Sequence, residues 1–292
     1  MTAGAWFGGR DGNRLAADAA GPADGPPVVL LHGGGQTRHS WGTTLTALAD
    51  AGWRAYSLDL RGHGESEWAP DGDYTLDAFA GDVAAVAEAL DRPPALVGAS
   101  LGGLAALAAA GGATERLATS LVLVDVAPRI EAAGRDRIAT FMTEHMDHGF
   151  ASLEEVADAI ARYNPHRPRP RDLSGLQKNL RRRDGRWYWH WDPQFVRGGL
   201  GAPDETRTSM IDTRQLEAAA RRVDVPVLVV RGRMSDLLSE EGARELLELV
   251  PHGEMVSVAG AGHMVAGDRN DLFNDAVVGF LDRHRRPPGS PS

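Results

Sequence analysis

Six short runs rich in Val, Leu and Ala set the strongest constraint on how this chain can fold. "PVVLLHG" ends at Gly33, "RAYSLDLRG" at Gly62, "ALVGAS" at Ser100, "SLVLVDVAP" at Pro128, "VPVLVVRG" at Gly232 and "EMVSVAGAGH" at His263. Several are almost continuously apolar, the pattern of strands buried on both faces of a parallel sheet rather than half-exposed strands that alternate. Helix-like stretches separate them, at 41–51, 75–91, 101–110, 239–250 and 270–283. That alternation predicts an α/β fold, a doubly wound and mostly parallel sheet built from right-handed βαβ units. An Asp11-Gly12 pair near the start predicts a hairpin. The rhythm stops between Arg129 and Leu216, where no strong buried strand is visible and "RYNPHRPRPRDL" is a proline-rich break. The expected organisation is a core of residues 1–128 and 217–284, a helical insertion at 129–216 after the strand ending near Asp125, and a disordered Pro-, Gly- and Ser-rich tail at 285–292.

Composition removes several function classes. With 31 basic and 40 acidic residues the net charge is −9, which disfavours nucleic acid and anionic membrane surfaces as partners. The chain has no cysteine, so disulfides, thiolate metal sites and cysteine nucleophiles are excluded. No signal peptide and no apolar run of membrane-spanning length is visible, and the expectation is a soluble cytoplasmic protein.

The chemistry centres on Gly98-Ala99-Ser100-Leu101-Gly102, a G-x-S-x-G pattern between a buried strand and a helix. A sharp strand-to-helix turn forces the serine into a strained backbone and leaves no room for side chains two residues away, which the glycines satisfy. Ser100 is the predicted nucleophile, with the helix N-terminus favouring developing negative charge. A capping serine would need nothing else of the chain, whereas a nucleophile needs a base, an acid and an oxyanion site. His263, in the glycine-rich turn after the last strand, is the predicted base. Asp236, after the penultimate strand, is the favoured acid, and the order Ser100, Asp236, His263 fits the scaffold. Asp125 ends the preceding strand at the same sheet edge and is the rival, either supporting the histidine or lining the pocket. For the oxyanion, His32-Gly33-Gly34-Gly35 leaves the backbone bare, and the amides of Gly34 and Leu101 are the predicted donors. No phosphate-loop or dinucleotide fingerprint competes with this reading.

Taken together, "LLHGGG", "LDLRGHGES", "LVGASLGG", "VRGRMSD" and "GAGHMV" resemble the α/β-hydrolase superfamily over most of the chain. The resemblance implies the α/β-hydrolase fold, makes the insertion a mobile cap, and makes His63 of "DLRGHGES" part of a structural turn rather than the base. It sets aside the epoxide hydrolases and haloalkane dehalogenases, which require aspartate at position 100. The cofactor-free perhydrolases of the family usually carry a bulky residue and then proline after the first His-Gly; Gly34-Gly35 departs from that and looks more like esterases and lactonases.

The expected function is hydrolysis of a carboxylic ester or lactone of a small to medium apolar substrate through an acyl-enzyme, with no metal or organic cofactor and with a small-molecule substrate, rather than nucleic acid or membrane, as the partner. A carbon–carbon bond hydrolase or thioesterase with the same triad is the alternative among enzymes, and a ligand sensor of the same fold is the alternative outside them. His32, Gly35 and Asp125 are candidates to support or line the pocket. In "RWYWHWDPQF", Trp187, Trp189 and Trp191 would share one face of an extended segment, either roofing the serine or packing cap on core, with Tyr188 and His190 opposite. Phe141, Met142, Met146 and Phe150 suggest an amphipathic cap helix, and the basic stretch "RPRPRDLSGLQKNLRRRDGR" a solvated face.

Overall fold

A computed structural model describes residues 2–165, 169, 172–200, 212–250, 252–268 and 270–285. The six apolar runs all form strands. With the N-terminal hairpin they build one eight-stranded sheet from β1 (Ala3–Gly8), β2 (Arg14–Ala20), β3 (Pro27–Leu31), β4 (Arg54–Leu58), β5 (Ala95–Ala99), β6 (Ser120–Val124), β9 (Val227–Gly232) and β10 (Gly253–Val258). Their order across the sheet is β1-β2-β4-β3-β5-β6-β9-β10. The β1–β2 and β2–β4 pairings are antiparallel and the rest are parallel. Every residue of β3 and β6 is buried, as strands covered on both faces require. Burying each such Val or Leu contributes about 1.5–3 kcal/mol.

Helices cover the two faces. On one lie α2 (Leu76–Glu88), α3 (Leu101–Gly112), α7 (Thr213–Arg222) and α8 (Glu240–Leu249); on the other, α1 (Gly42–Asp50) and α10 (Asn270–Arg283). Thr75 and Ser239 cap α2 and α8, each side-chain oxygen accepting from the amide three residues on. No helix among the described residues is long and apolar enough to cross a membrane.

Between β6 and α7 the chain forms α4 (Ala132–Thr143), α5 (Leu153–Tyr163), an antiparallel hairpin of β7 (Leu180–Arg183) and β8 (Arg186–Trp189), and the single turn α6 (Pro193–Phe195). Three expectations change here. The insertion is not all helical: Asp184 (φ 50°) and Gly185 (φ 77°) make the tight turn of a hairpin. The expected boundary at 216 falls inside α7, which packs on α3 and buries Leu216. Of the expected amphipathic helix, only Phe141 and Met142 lie on α4; Phe150 instead bridges to Trp187. Much of the basic stretch is used structurally, with Arg181, Arg182 and Arg183 lying over Trp68, Trp187 and Tyr188. Residues 167, 168, 170 and 171 of that stretch, and 286–292 of the tail, lie outside the described residues. The short α9 (Val265–Asp268) follows the turn that carries His263.

Candidate active site

Ser100 stands between β5 and α3 with φ 47° and ψ −117°, a conformation costly to any residue with a Cβ. The close packing that forces it is visible at the flanking glycines. A Cβ on Gly98 would lie 2.4 Å from the Gly102 carbonyl oxygen, and one on Gly102 would lie 2.4 Å from that of Leu31. The Ser100 amide donates to Val124 on β6, so the turn is tied to the neighbouring strand. Ser100 opens into a cavity of about 550 Å³. Leu101, Leu104, Phe141, Met142, Ile160 and Phe195 make its wall largely apolar, with both core and insertion contributing.

His263 lines the same cavity. Its Nδ1 lies 2.8 Å from Oδ2 of Asp125. A carboxylate only accepts, so Nδ1 carries the proton and Nε2 is left with a free lone pair. Asp125 is fully buried and has φ 51°. Its Oδ1 accepts from the Gly232 amide at 3.0 Å, and its Oδ2 also accepts from the Ser235 hydroxyl. Ser235 is itself held by the amides of Leu237 and Leu238. The carboxylate is therefore fixed by three donors, which compensate its removal from water.

The favoured acid of the sequence reading is corrected. Asp236 does not meet His263: its side chain is about two-fifths exposed and accepts from Arg137 on α4 at 2.8 Å. The insertion is the physical reason. A Cβ on Gly134 would lie 2.5 Å from the Asp236 carbonyl oxygen, and Glu131 donates its amide to Leu237. The loop after β9 thus presses its backbone against α4, turns Ser235 inward and turns Asp236 outward.

The amides expected to bind an oxyanion belong to residues on the same cavity as Ser100. Gly34 and Leu101 both line the cavity, and neither N–H has a backbone acceptor among the described residues. Gly35 and Trp189 also reach the wall, whereas His32, Trp187 and Trp191 do not. Trp191 stacks on Trp189 with ring centres 4.9 Å apart and presses on Gly35; Trp187 packs beneath Arg182. Of the three tryptophans, Trp189 therefore lines the cavity, Trp191 packs insertion on core, and Trp187 packs within the insertion.

His32 and His63 are structural, and His190 joins them, a role that nothing in its sequence context signals. His32 donates from Nδ1 to the Gly33 carbonyl and accepts the Leu60 amide at Nε2. His63 donates from Nδ1 to the Arg61 carbonyl and accepts the Gly35 amide at Nε2. His190 reaches in from the insertion, its ring 5.8 Å from that of His63. All three are buried. Desolvation pushes His32 down to about 4 and His63 down to about 3, and lowers His190 well below the ordinary histidine range.

These depressed values have a defined consequence for stability. Below about pH 6.5 the unfolded chain binds protons that the folded chain refuses, so stability is lost as pH falls from 6.5 towards 4. His32 and His63 should each remove about 2 kcal/mol between pH 7 and pH 5. Urea unfolding at the two pH values should show this drop, and an unchanged midpoint would contradict the neutral buried assignment.

Comparison with known proteins identifies the family and the fold. The profile of the Alpha/beta hydrolase family matches residues 28–276. An esterase of Mycobacterium tuberculosis, Rv0045c, is 32% identical over 265 residues, covering 88% of this chain and 83% of that protein. A 3-hydroxybutyrate-oligomer hydrolase of Cupriavidus necator is 29% identical over 254 residues, covering 83% and 84%. Among solved structures, E-2-(acetamidomethylene)succinate hydrolase superposes with a TM-score of 0.81 at 25% identity, covering 97% of this chain and 100% of that one.

Proposed function

The chain belongs to the α/β-hydrolase family, and from that premise we propose that it is a serine hydrolase cleaving carboxylic esters or lactones of small to medium apolar substrates. The observation that carries the reading is the buried Asp125 held 2.8 Å from His263, with His263 and Ser100 on one apolar cavity. Ser100 attacks the carbonyl and His263 Nε2 takes its proton, then returns it to the leaving alcohol. Asp125 keeps Nδ1 protonated and stabilises the imidazolium that forms. The amides of Gly34 and Leu101 receive the oxyanion; fixed dipoles do this without reorganising, and one such donor contributes about 3–4 kcal/mol. Water activated by the same histidine then releases the acid. The ester specificity is supported by the relatives named for ester and oligomer hydrolysis, and the substrate size by a cavity of about 550 Å³.

Covalent trapping tests the reading. A fluorophosphonate should add one phosphonyl group per chain, mapped by mass spectrometry to the peptide holding Ser100, and should abolish hydrolysis of p-nitrophenyl butyrate in proportion. A phosphonyl group on any other residue, or full activity after complete labelling, would refute it. Thioesters, lactones and diketones assayed beside the ester separate the alternatives that share this triad.

A further inference from the structure

The loop expected to supply the Gly34 amide has three consecutive glycines; His32 Nδ1 and Gln36 Oε1 hold it at the Gly33 carbonyl and amide, and Gly34 and Gly35 carry no side chain of their own. Residues 33–36 form a tight turn, with the Gln36 amide donating to the Gly33 carbonyl at 3.1 Å and Gly35 at φ 75°. In such a turn the central peptide can flip at little steric cost when both middle residues are glycine. Here each polar group of Gly35 is held by an imidazole. Its N–H donates to His63 Nε2 at 3.1 Å, and its carbonyl oxygen faces His190 Nε2 at 3.4 Å. His190 accepts the Gly64 amide at Nδ1 (2.8 Å), so Nε2 bears the proton that points at Gly35.

We propose that His190 is a positioning residue for the oxyanion loop: the insertion carries into the core an imidazole that ties Gly35 to Gly64 and so holds the Gly34 amide in its aim. His190 is 2% exposed and does not line the cavity, so it acts through Gly35 and not on substrate. Its own segment is anchored to the core on both sides. Asp192 donates its amide to the Gly62 carbonyl at 2.9 Å and accepts the Tyr74 hydroxyl at 2.6 Å, and Arg181 donates to the Gly64 carbonyl at 2.8 Å. The insertion is thereby part of the oxyanion site, beyond its role as a cover. The catalytic part of this proposal rests on the serine-hydrolase reading.

Two substitutions divide the work of the ring. His190→Asn keeps an acceptor for the Gly64 amide but is too short to reach Gly35. His190→Gln reaches Gly35 with an N–H donor but gives up the Gly64 acceptor. In the full chain, His190→Asn should lower kcat on p-nitrophenyl butyrate by about ten- to a hundred-fold, part of the loss of one oxyanion donor, with KM within about three-fold. The Gly35 amide should exchange with deuterium faster than in the parent protein by NMR, while the β5 and β6 amides stay protected. His190→Gln should recover kcat to within about three-fold and restore slow Gly35 exchange even if its melting temperature falls. Unchanged kcat and Gly35 exchange in His190→Asn, or losses in both variants that follow melting temperature alone, would overturn the proposal. If the parent protein shows no Ser100-dependent hydrolysis, the hydrolase reading fails, and Gly35 exchange alone then decides whether His190 positions the loop.

Discussion

Ser100→Ala should lower kcat on p-nitrophenyl butyrate by about 10⁶-fold, leaving a residue of about 10³-fold over water from the oxyanion amides and binding. The loss is large because the serine, histidine and carboxylate act as one unit. Adding His263→Ala to Ser100→Ala should therefore cost little more. Folding offers an internal control. Alanine carries the same Cβ as serine, so Ser100→Ala retains the strain of φ 47° and should unfold at nearly the parental urea concentration. Ser100→Gly relieves that strain and should be more stable by about 1 kcal/mol while being equally inactive. Inactivity coupled to preserved or increased stability distinguishes a lost nucleophile from a damaged fold. Activity within ten-fold of the parent in Ser100→Ala would end the assignment.

Asp125→Asn should lower kcat by about 10⁴-fold, and Asp236→Asn should leave it within about three-fold. An amide at position 125 offers Nδ1 of His263 a donor as readily as an acceptor, so the imidazole loses the tautomer that frees Nε2. It also faces the Ser235 hydroxyl and the Gly232 amide, both arranged for a carboxylate. Asp236 instead makes a half-exposed ion pair with Arg137, a contact worth about 0–1 kcal/mol and screened by salt. Steady-state kinetics of the two variants at one pH decide between the acids. The reverse ranking would restore Asp236 and require the loop after β9 to turn over.

What the sequence disclosed and what it concealed follow from the range of the forces involved. Strands β3, β5, β6 and β9 are almost continuous apolar runs, and such a run has one stable use inside an α/β sheet. The turn at Ser100 was legible because backbone crowding acts over four residues and leaves its mark as Gly98 and Gly102. The acid was not, since Asp125 and Asp236 both follow strands ending at the same edge of the sheet, and both fit the chain order. Their fates separate only when α4 packs against the loop at 236, a contact with a helix a hundred residues away. A usable signal did exist: Asp125 ends an unbroken apolar run, where a charge is buried and must be matched. The β7–β8 hairpin escaped for another reason. Its Asp184-Gly185 turn was in view, but the arms "RRR" and "RWYW" lack apolar alternation because the arginines lie over the aromatic rings. His190 looked like the polar face of an extended segment, and only the Gly64 and Gly35 backbone groups explain its burial.

The placement of Asp125 and Ser100 on neighbouring strands has a bearing on how such a site tolerates change. Both residues hang from the β5–β6 ladder, where Ala99 is paired with Val124 and the Ser100 amide donates to Val124 itself. Their spacing is thus a sheet dimension, roughly the 4.8 Å between strands, and not the outcome of two loops agreeing. His263 alone rides on a connection, the turn between β10 and α9. Remodelling intended to widen the substrate range has to spare residues 235–239, where the Leu237 and Leu238 amides hold the Ser235 hydroxyl on Asp125 and Ser239 caps α8. The turn at 259–264, which carries His263, has to keep its geometry as well.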